Sequence, residues 1–364
     1  MAITMVAQHG WRDEWFISGT RRGPGLRRLA AAALALIPAA ASAAPVPSDG
    51  AGVTGSRSFL FRYQAVVKEV PETAREAFLW IPYPPEDGQQ EIRGLEILSS
   101  LPHEIVTEPR YGNRALRFTL RPGIPVQEAA LEVHVVRRER VNRPAGRVDP
   151  PPTPPADLAL WLGPDRRVPI DGKVAEWARE TTSGRTTDLE RARAIYDYVV
   201  TTLKYDKTGT GWGNGDIFWA CDAKRGNCTD FHAIFIGFSR AMGIPARFEI
   251  GFPIPAERGR GEIAGYHCWA QFYLEGQGWI PVDASEANKN PAKREYFFGA
   301  HDENRILFSV GRDLLFTGMR GEPLNFFIYP YAEVDGAKHD AVERRFFYRD
   351  IDSPGTPPAH SALD

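Results

Sequence analysis

Cys228 stands in the run Arg225-Gly-Asn-Cys-Thr-Asp-Phe-His232, and the chain has only three cysteines. Behind it Phe231, Ile234, Phe235, Phe238 and Met242 recur at helical spacing, closed by Gly243 where a C′ glycine belongs. That pattern predicts a helix whose first turn carries the thiol. Unpaired N–H groups and the positive end of the helix dipole favour a thiolate there. The main-chain N–H of Cys228 would also be free to face an oxyanion. Three readings stand side by side: an inert buried thiol, half of a disulfide, or a nucleophile.

A thiol nucleophile needs a base, and the base needs an acceptor that orients it. His232 lies four residues past Cys228, on the same helical face. His267 lies in the strand-like run GYHCWAQFYL, sixteen residues before Asp283 in GWIPVDAS. Only His267 comes with a carboxylate at hairpin distance. A turn centred on Gly276 or Gln277 sets Asp283 opposite Trp269 or Gln271, on the face that carries His267. A turn centred between those two residues reverses it. His232 is then read as a residue that shapes the site rather than as the base.

Other chemistries lack their residues. There is no H-E-x-x-H, C-x-x-C or G-x-S-x-G, which argues against a built zinc site and a serine hydrolase. No cofactor and no metal are expected. In an oxidising compartment three thiols leave one unpaired. Cys268 follows His267 directly, so its side chain is expected on the opposite face, where Cys221 is a candidate disulfide partner. Trp212, Trp219 and Trp269 are candidate walls of a substrate cleft. The glycine-rich GTGWGNGD reads as an irregular loop with positive-φ positions.

The elements that must hold these residues follow from periodicity. At residues 57–140, Phe59, Phe61, Tyr63, Ala65 and Val67 alternate, as do Ala77, Leu79 and Ile81, then Leu116, Phe118 and Leu120, then Leu131, Val133 and Val135. Turn residues separate these runs, which predicts a small antiparallel β-sandwich. Residues 141–157 are proline-rich and read as a linker. Residues 158–350 open with helices: Thr187 and Glu190 have capping-box spacing, and Leu189, Ala192, Tyr196, Val199 and Leu203 form one stripe. Strand-like runs follow, giving an α+β domain, and residues 351–364 read as a tail.

Compartment and partners have their own signals. Arg21, Arg22, Arg27 and Arg28 precede the apolar run LAAAALALIPAAASAA, which ends in Ala41-Ser42-Ala43. A basic stretch, a short apolar run and small residues at its end describe a secretory signal peptide over 1–43, so the protein is expected to be exported. A net charge of −2 without a basic cluster argues against nucleic acid. No second apolar run is long enough to span a membrane.

Three blocks together resemble the transglutaminase-like superfamily, nearest to its exported bacterial members: GNCTDFHAIFIGFSRAMGIPARF, GYHCWAQFYL and GWIPVDASEA. The likeness runs from about Leu158 to Gly336, and the block LWIPYP…RYGNR resembles a β domain that often precedes this core. The resemblance implies a papain-like core of helices and an antiparallel sheet, with a triad of Cys228, His267 and Asp283. It implies thiol-mediated acyl transfer or hydrolysis on amide bonds of a protein or peptide, cell-wall peptides included. Thr229 and Asp230 stand where animal transglutaminases carry a tryptophan, and no dense acidic cluster is present for calcium. Hydrolysis is therefore expected ahead of protein crosslinking. A binding or scaffold protein that kept the fold is the alternative from another class.

Overall fold

The computed structural model describes residues 55–144 and 154–351. The expected signal peptide, most of the 141–157 linker and all of the tail beyond Ile351 lie outside them. β1 (Ser56–Lys68) shows the period of two in its burial: Phe59, Phe61, Tyr63, Ala65 and Val67 are wholly buried. Each of the larger side chains contributes about 1.5–3 kcal/mol by leaving water. β2 (Ala77–Tyr83), β3 (Gln90–Leu98), β4 (His103–Thr107), β5 (Arg114–Thr119) and β6 (Val126–Arg138) continue the front region. The short β7 (Arg140–Val141) carries the chain towards the core.

Helices come next. They are α1 (Gly172–Thr181) and α2 (Asp188–Thr202), then β8 (Lys204–Tyr205), α3 (Ile217–Ala223), β9 (Arg225–Gly226) and α4 (Cys228–Ala241). α2 begins with the predicted box: Thr187 accepts the Glu190 N–H and Glu190 reaches back to the Thr187 N–H. Its stripe of Ala192, Tyr196, Val199 and Leu203 is buried. Gly243 follows α4 with φ 79°, the left-handed turn expected of it.

The remaining elements are β10 (Ala246–Pro253), β11 (Arg260–Glu262), β12 (His267–Leu274), β13 (Gly278–Val282), α5 (Ala284–Lys289), β14 (Ala300–His301), β15 (Arg305–Val310), β16 (Tyr331–Val334), β17 (Ala337–His339) and β18 (Val342–Asp350). The core sheet has the order β13-β12-β10-β15, all antiparallel. α4 lies against it, with the Phe235 and Phe272 rings 6.0 Å apart. The fold is α+β. The run GWIPVDAS is not strand throughout: β13 stops at Val282 because Asp283 caps α5.

The front region forms two five-stranded antiparallel sheets, ordered β11-β18-β1-β6-β3 and β17-β16-β2-β5-β4. Chain ends supply their missing strands. β18 pairs with β1 from Phe59↔Asp350 to Val67↔Val342, and β16 pairs with β2. Residues from the stretch expected for the catalytic domain thus complete both front sheets. The inward faces of β1, β2, β5 and β6 share one apolar core with α4 and the core sheet. Among the described residues no helix is long and apolar enough to cross a membrane.

Candidate active site

Local chemistry sets the start of α4. Asn227, in extended conformation, accepts the Thr229 N–H at 2.9 Å, and Asp230 Oδ2 accepts the Asn227 N–H at 2.9 Å, a reciprocal capping box. The Asp230 carboxylate also accepts the N–H of Gly213 at 2.7 Å and of Gly215 at 3.0 Å. Those donors converge because Gly213 and Gly215 take φ values of 83° and 56°, open to glycine. Gly226 has φ 151°, and a Cβ there would collide with the Asp230 carboxylate. The glycine behind the cysteine therefore makes room for a side chain of the helix it precedes. The parallel pair β8 and β9 anchors the same turn. Cys228 becomes the first residue of α4, only 1% exposed.

His267 and Asp283 arrive on paired strands. Ala270 faces Val282 and Gln271 faces Pro281, a register symmetric about Gly276. Continued by one step it sets Asp283 across from Trp269, whose ring lies 5.9 Å from that of His267. His267 Nε2 then meets Asp283 Oδ2 at 2.7 Å. The other carboxylate oxygen caps α5, accepting the Glu286 N–H at 3.0 Å and the Ser285 hydroxyl at 3.1 Å. Arg305 Nη1 approaches Oδ2 at 3.3 Å. With Nε2 committed to Asp283, Nδ1 is the ring nitrogen left for the thiol.

Burial opposes charge at all three residues, and their mutual contacts reverse the balance. For Cys228, burial raises the pKa, but hydrogen bonds from Cys268 and His267 and the His267 charge hold it well below the ordinary thiol value. For His267, burial works against protonation, yet the Asp283 carboxylate and the Cys228 sulfur push its pKa up to about 10. Asp283 is likewise buried, and His267 and Arg305 hold it well below the usual carboxylate range. The three shifts run toward a thiolate, an imidazolium and a carboxylate.

Both ring nitrogens of His232 are engaged by main-chain groups. Its Nδ1 lies 2.8 Å from the Cys228 carbonyl oxygen and its Nε2 accepts the Ala284 N–H at 3.2 Å. Burial lowers its pKa and keeps it neutral. It lies between the start of α4 and the start of α5.

The expected Cys221–Cys268 bridge is absent, since all three cysteines are free and buried. The physical reason is which face Cys268 meets. It does lie opposite His267, but that face of β12 packs on α4, so its sulfur sits 3.7 Å from Thr229 Oγ1 and 3.8 Å from His232 Nδ1. Cys221 belongs to α3, where burial pushes its thiol up to about 12.

The three tryptophans divide. Trp269 is wholly buried, donates to Glu249 at 2.5 Å and packs behind His267, so it backs the site rather than lining an open cleft. Trp212 and Trp219 are half-buried. The Trp212 indole N–H donates to the Gly209 carbonyl at 3.0 Å, and Trp219 packs closely against Gly211.

Sequence reasoning missed three residues. Asp230 was visible as the third helical position after Asn227, the spacing of a capping box. Tyr266, beside His267, meets Asn227 Nδ2 and Thr229 Oγ1, each at 2.9 Å, and no local pattern announces it. Arg305 arrives from β15, stacks over Trp269 at 4.8 Å and pairs with Asp302 and Asp283. Among the described residues no group of three or more His, Cys, Asp or Glu is arranged to hold a metal ion.

Known proteins are similar to this chain in part. The family model of the transglutaminase-like superfamily matches residues 175–284, from α1 to the first residue of α5. An uncharacterized protein of Haemophilus influenzae is 27% identical, over 75% of this chain and 84% of its own length. The solved structure of a proposed cysteine protease from Cytophaga hutchinsonii aligns with a TM-score of 0.58 at 16% identity, covering 83% of this chain and 93% of that one. That likeness is one of fold. The periplasmic domain of TgpA from Pseudomonas aeruginosa aligns with a TM-score of 0.32 at 16% identity, over 68% of this chain and 98% of that one.

Proposed function

We propose that the chain, whose residues 175–284 match the family model of the transglutaminase-like superfamily, is an exported cysteine enzyme that hydrolyses amide bonds of a protein or peptide. One observation carries the reading: a buried aspartate meets His267 Nε2 at 2.7 Å, and the thiol whose pKa that histidine lowers stands at the first position of a helix. The Cys228 thiolate attacks the carbonyl carbon, and the carbonyl π electrons move to oxygen. The Cys228 N–H, unpaired within the helix, faces that oxyanion. As the tetrahedral species collapses, the C–N bond breaks and His267 gives its proton to the leaving amine. Asp283 holds the ring so that Nδ1 faces the sulfur, and it stabilises the imidazolium. Water then attacks the thioester while His267 takes its proton, releasing the acid and restoring the thiolate.

Water is favoured over a lysine amine as the second nucleophile because it is abundant. Export rests on the basic and apolar pattern of residues 1–43, which directs attention to peptides of the cell wall. Mass-spectrometric profiling of exported proteins and wall peptides, with wild type against Cys228→Ala, tests the whole. New amine and carboxyl ends dependent on Cys228 support hydrolysis. Lysine–glutamine isopeptides would replace it with crosslinking, and identical profiles would leave a binding or scaffold role.

A further inference from the structure

The side chains on either side of Cys228 in the sequence both turn to one hydroxyl. Asn227 Nδ2 donates to Tyr266 Oη at 2.9 Å, and Thr229 Oγ1 lies 2.9 Å from the same oxygen. The Asn227 amide has a single orientation, because its Oδ1 accepts the Thr229 N–H. Thr229 Oγ1 in turn accepts from the Cys268 thiol at 3.7 Å. Thr229 then gives its own proton to Tyr266, whose oxygen accepts twice and keeps its O–H for a third partner. Burial first, and the charge of the Cys228 sulfur after it, hold the Tyr266 pKa well above the ordinary phenol value, so the group stays a donor. There is room for such a partner. Gly213 has φ 83°, and a Cβ on it would stand 3.3 Å from Asn227 Nδ2 and 3.9 Å from Tyr266 Oη. Without that Cβ the space beside the hydroxyl stays open. Tyr266 is half-buried whereas Asn227 and Thr229 are buried, so it is the outermost of the three.

We infer that the Tyr266 hydroxyl is the second oxyanion donor, acting beside the main-chain N–H of Cys228. The inference rests on the reading of Cys228 as a nucleophile that attacks a carbonyl. Held by Asn227 and Thr229, the hydroxyl sits over the end of α4 from which the Cys228 N–H points. As the C–S bond forms, the carbonyl π electrons move to oxygen and the hydrogen bond from Tyr266 strengthens. The phenol keeps its proton throughout, and the bond weakens again when the electrons return and the C–N bond breaks. A donor aimed before the reaction costs no reorganisation during it. The two hydrogen bonds from the start of α4 supply that aim. His267 follows Tyr266 directly, so the start of β12 brings the proton carrier and the oxyanion donor to the thiol together.

Tyr266→Phe removes the oxygen and keeps the ring against Phe326 and Tyr329, whose centroids lie 5.6 and 5.7 Å away. Two probes of Cys228 separate a donor from a structural residue. Iodoacetamide alkylates the thiolate without forming an oxyanion, whereas p-nitrophenyl acetate must pass through one. In the full chain the variant should be alkylated at the wild-type rate and should release p-nitrophenol about 10²-fold more slowly, with KM nearly unchanged. Cys228→Ala sets the background for both probes. Unchanged release of p-nitrophenol overturns the inference. So does a parallel fall in both rates, which would make Tyr266 a support for the start of α4 and no more. Cleavage of peptides by wild type and Tyr266→Phe at equal rates sinks this inference alone. Ester turnover that depends on Tyr266, in a chain that cleaves no peptide, sinks the hydrolase reading alone.

Discussion

His232 ties the main chain of Cys228 to the helix that Asp283 caps. Its Nδ1 is 2.8 Å from the Cys228 carbonyl oxygen, and its Nε2 is 3.2 Å from the Ala284 nitrogen. An amide nitrogen can only donate, so Nε2 accepts and Nδ1 carries the proton. The ring is a neutral strut between α4 and α5. His232→Phe should leave KM nearly unchanged and lower kcat by about 10²-fold, the effect of a small misplacement of reacting groups. Steady-state kinetics on a cleaved peptide would show this, and an unchanged kcat would remove the strut.

Asp283 divides two tasks between its two oxygens, capping α5 with one and meeting His267 with the other, and two substitutions separate them. Asn caps helices as well as Asp does, so Asp283→Asn keeps the start of α5 while losing the charge beside His267. Its kcat should fall by about 10²–10⁴-fold. Asp283→Ala loses the cap as well and should unfold at lower denaturant by a further ~1 kcal/mol. Chemical denaturation of the two variants in parallel gives the comparison.

The ion pair at the site has a signed pH dependence. His267 is raised to about 10, above its unfolded value of about 6.5. Its contribution to stability is therefore complete below about 6.5 and disappears as pH rises through 10. Cys228 and Asp283 are lowered, so their contributions are present above their unfolded values and fade as pH falls through the folded ones. Iodoacetamide labelling of Cys228 should stay high through neutral pH and drop only on the acid side. A labelling profile that rises with an ordinary thiol midpoint near 8.5 would contradict the pair.

Gly226 is constrained twice, by a φ of 151° and by the Asp230 carboxylate. Gly226→Ala should destabilise by about 1–3 kcal/mol and slow Cys228 labelling, because the displaced carboxylate holds the α4 cap and the glycine loop. Gly88→Ala, where a Cβ meets nothing within 4 Å, should stay within about 0.5 kcal/mol of wild type. Equal effects at the two positions would refute the close approach.

Much of this was readable because it is local. The Thr187 box, the Gly243 stop and the alternation from Phe59 to Val67 each depend on residues a few positions apart. Even the side of β12 that Asp283 reaches follows from parity once the turn centre is Gly276. What escaped is long-range. Period two puts Cys268 opposite His267 but does not say that α4 packs there, which is why Cys221 was the wrong partner. Arg305 reaches Asp283 from another strand, and nothing near either residue encodes the meeting. The placement of β16 and β18 in the front sheets is legible only when the chain has closed on itself.

That closure has a consequence for synthesis. β1 is among the first described residues to leave the ribosome, yet the strand beside it, β18, is among the last. Until Val342–Asp350 emerges, β1 presents an unpaired edge to every other nascent chain. Contacts so distant in sequence also form slowly. A message cut short before codon 342 would therefore yield an open template for aggregation rather than a smaller enzyme, and a chaperone that covers β1 would have to stay for almost the whole of translation.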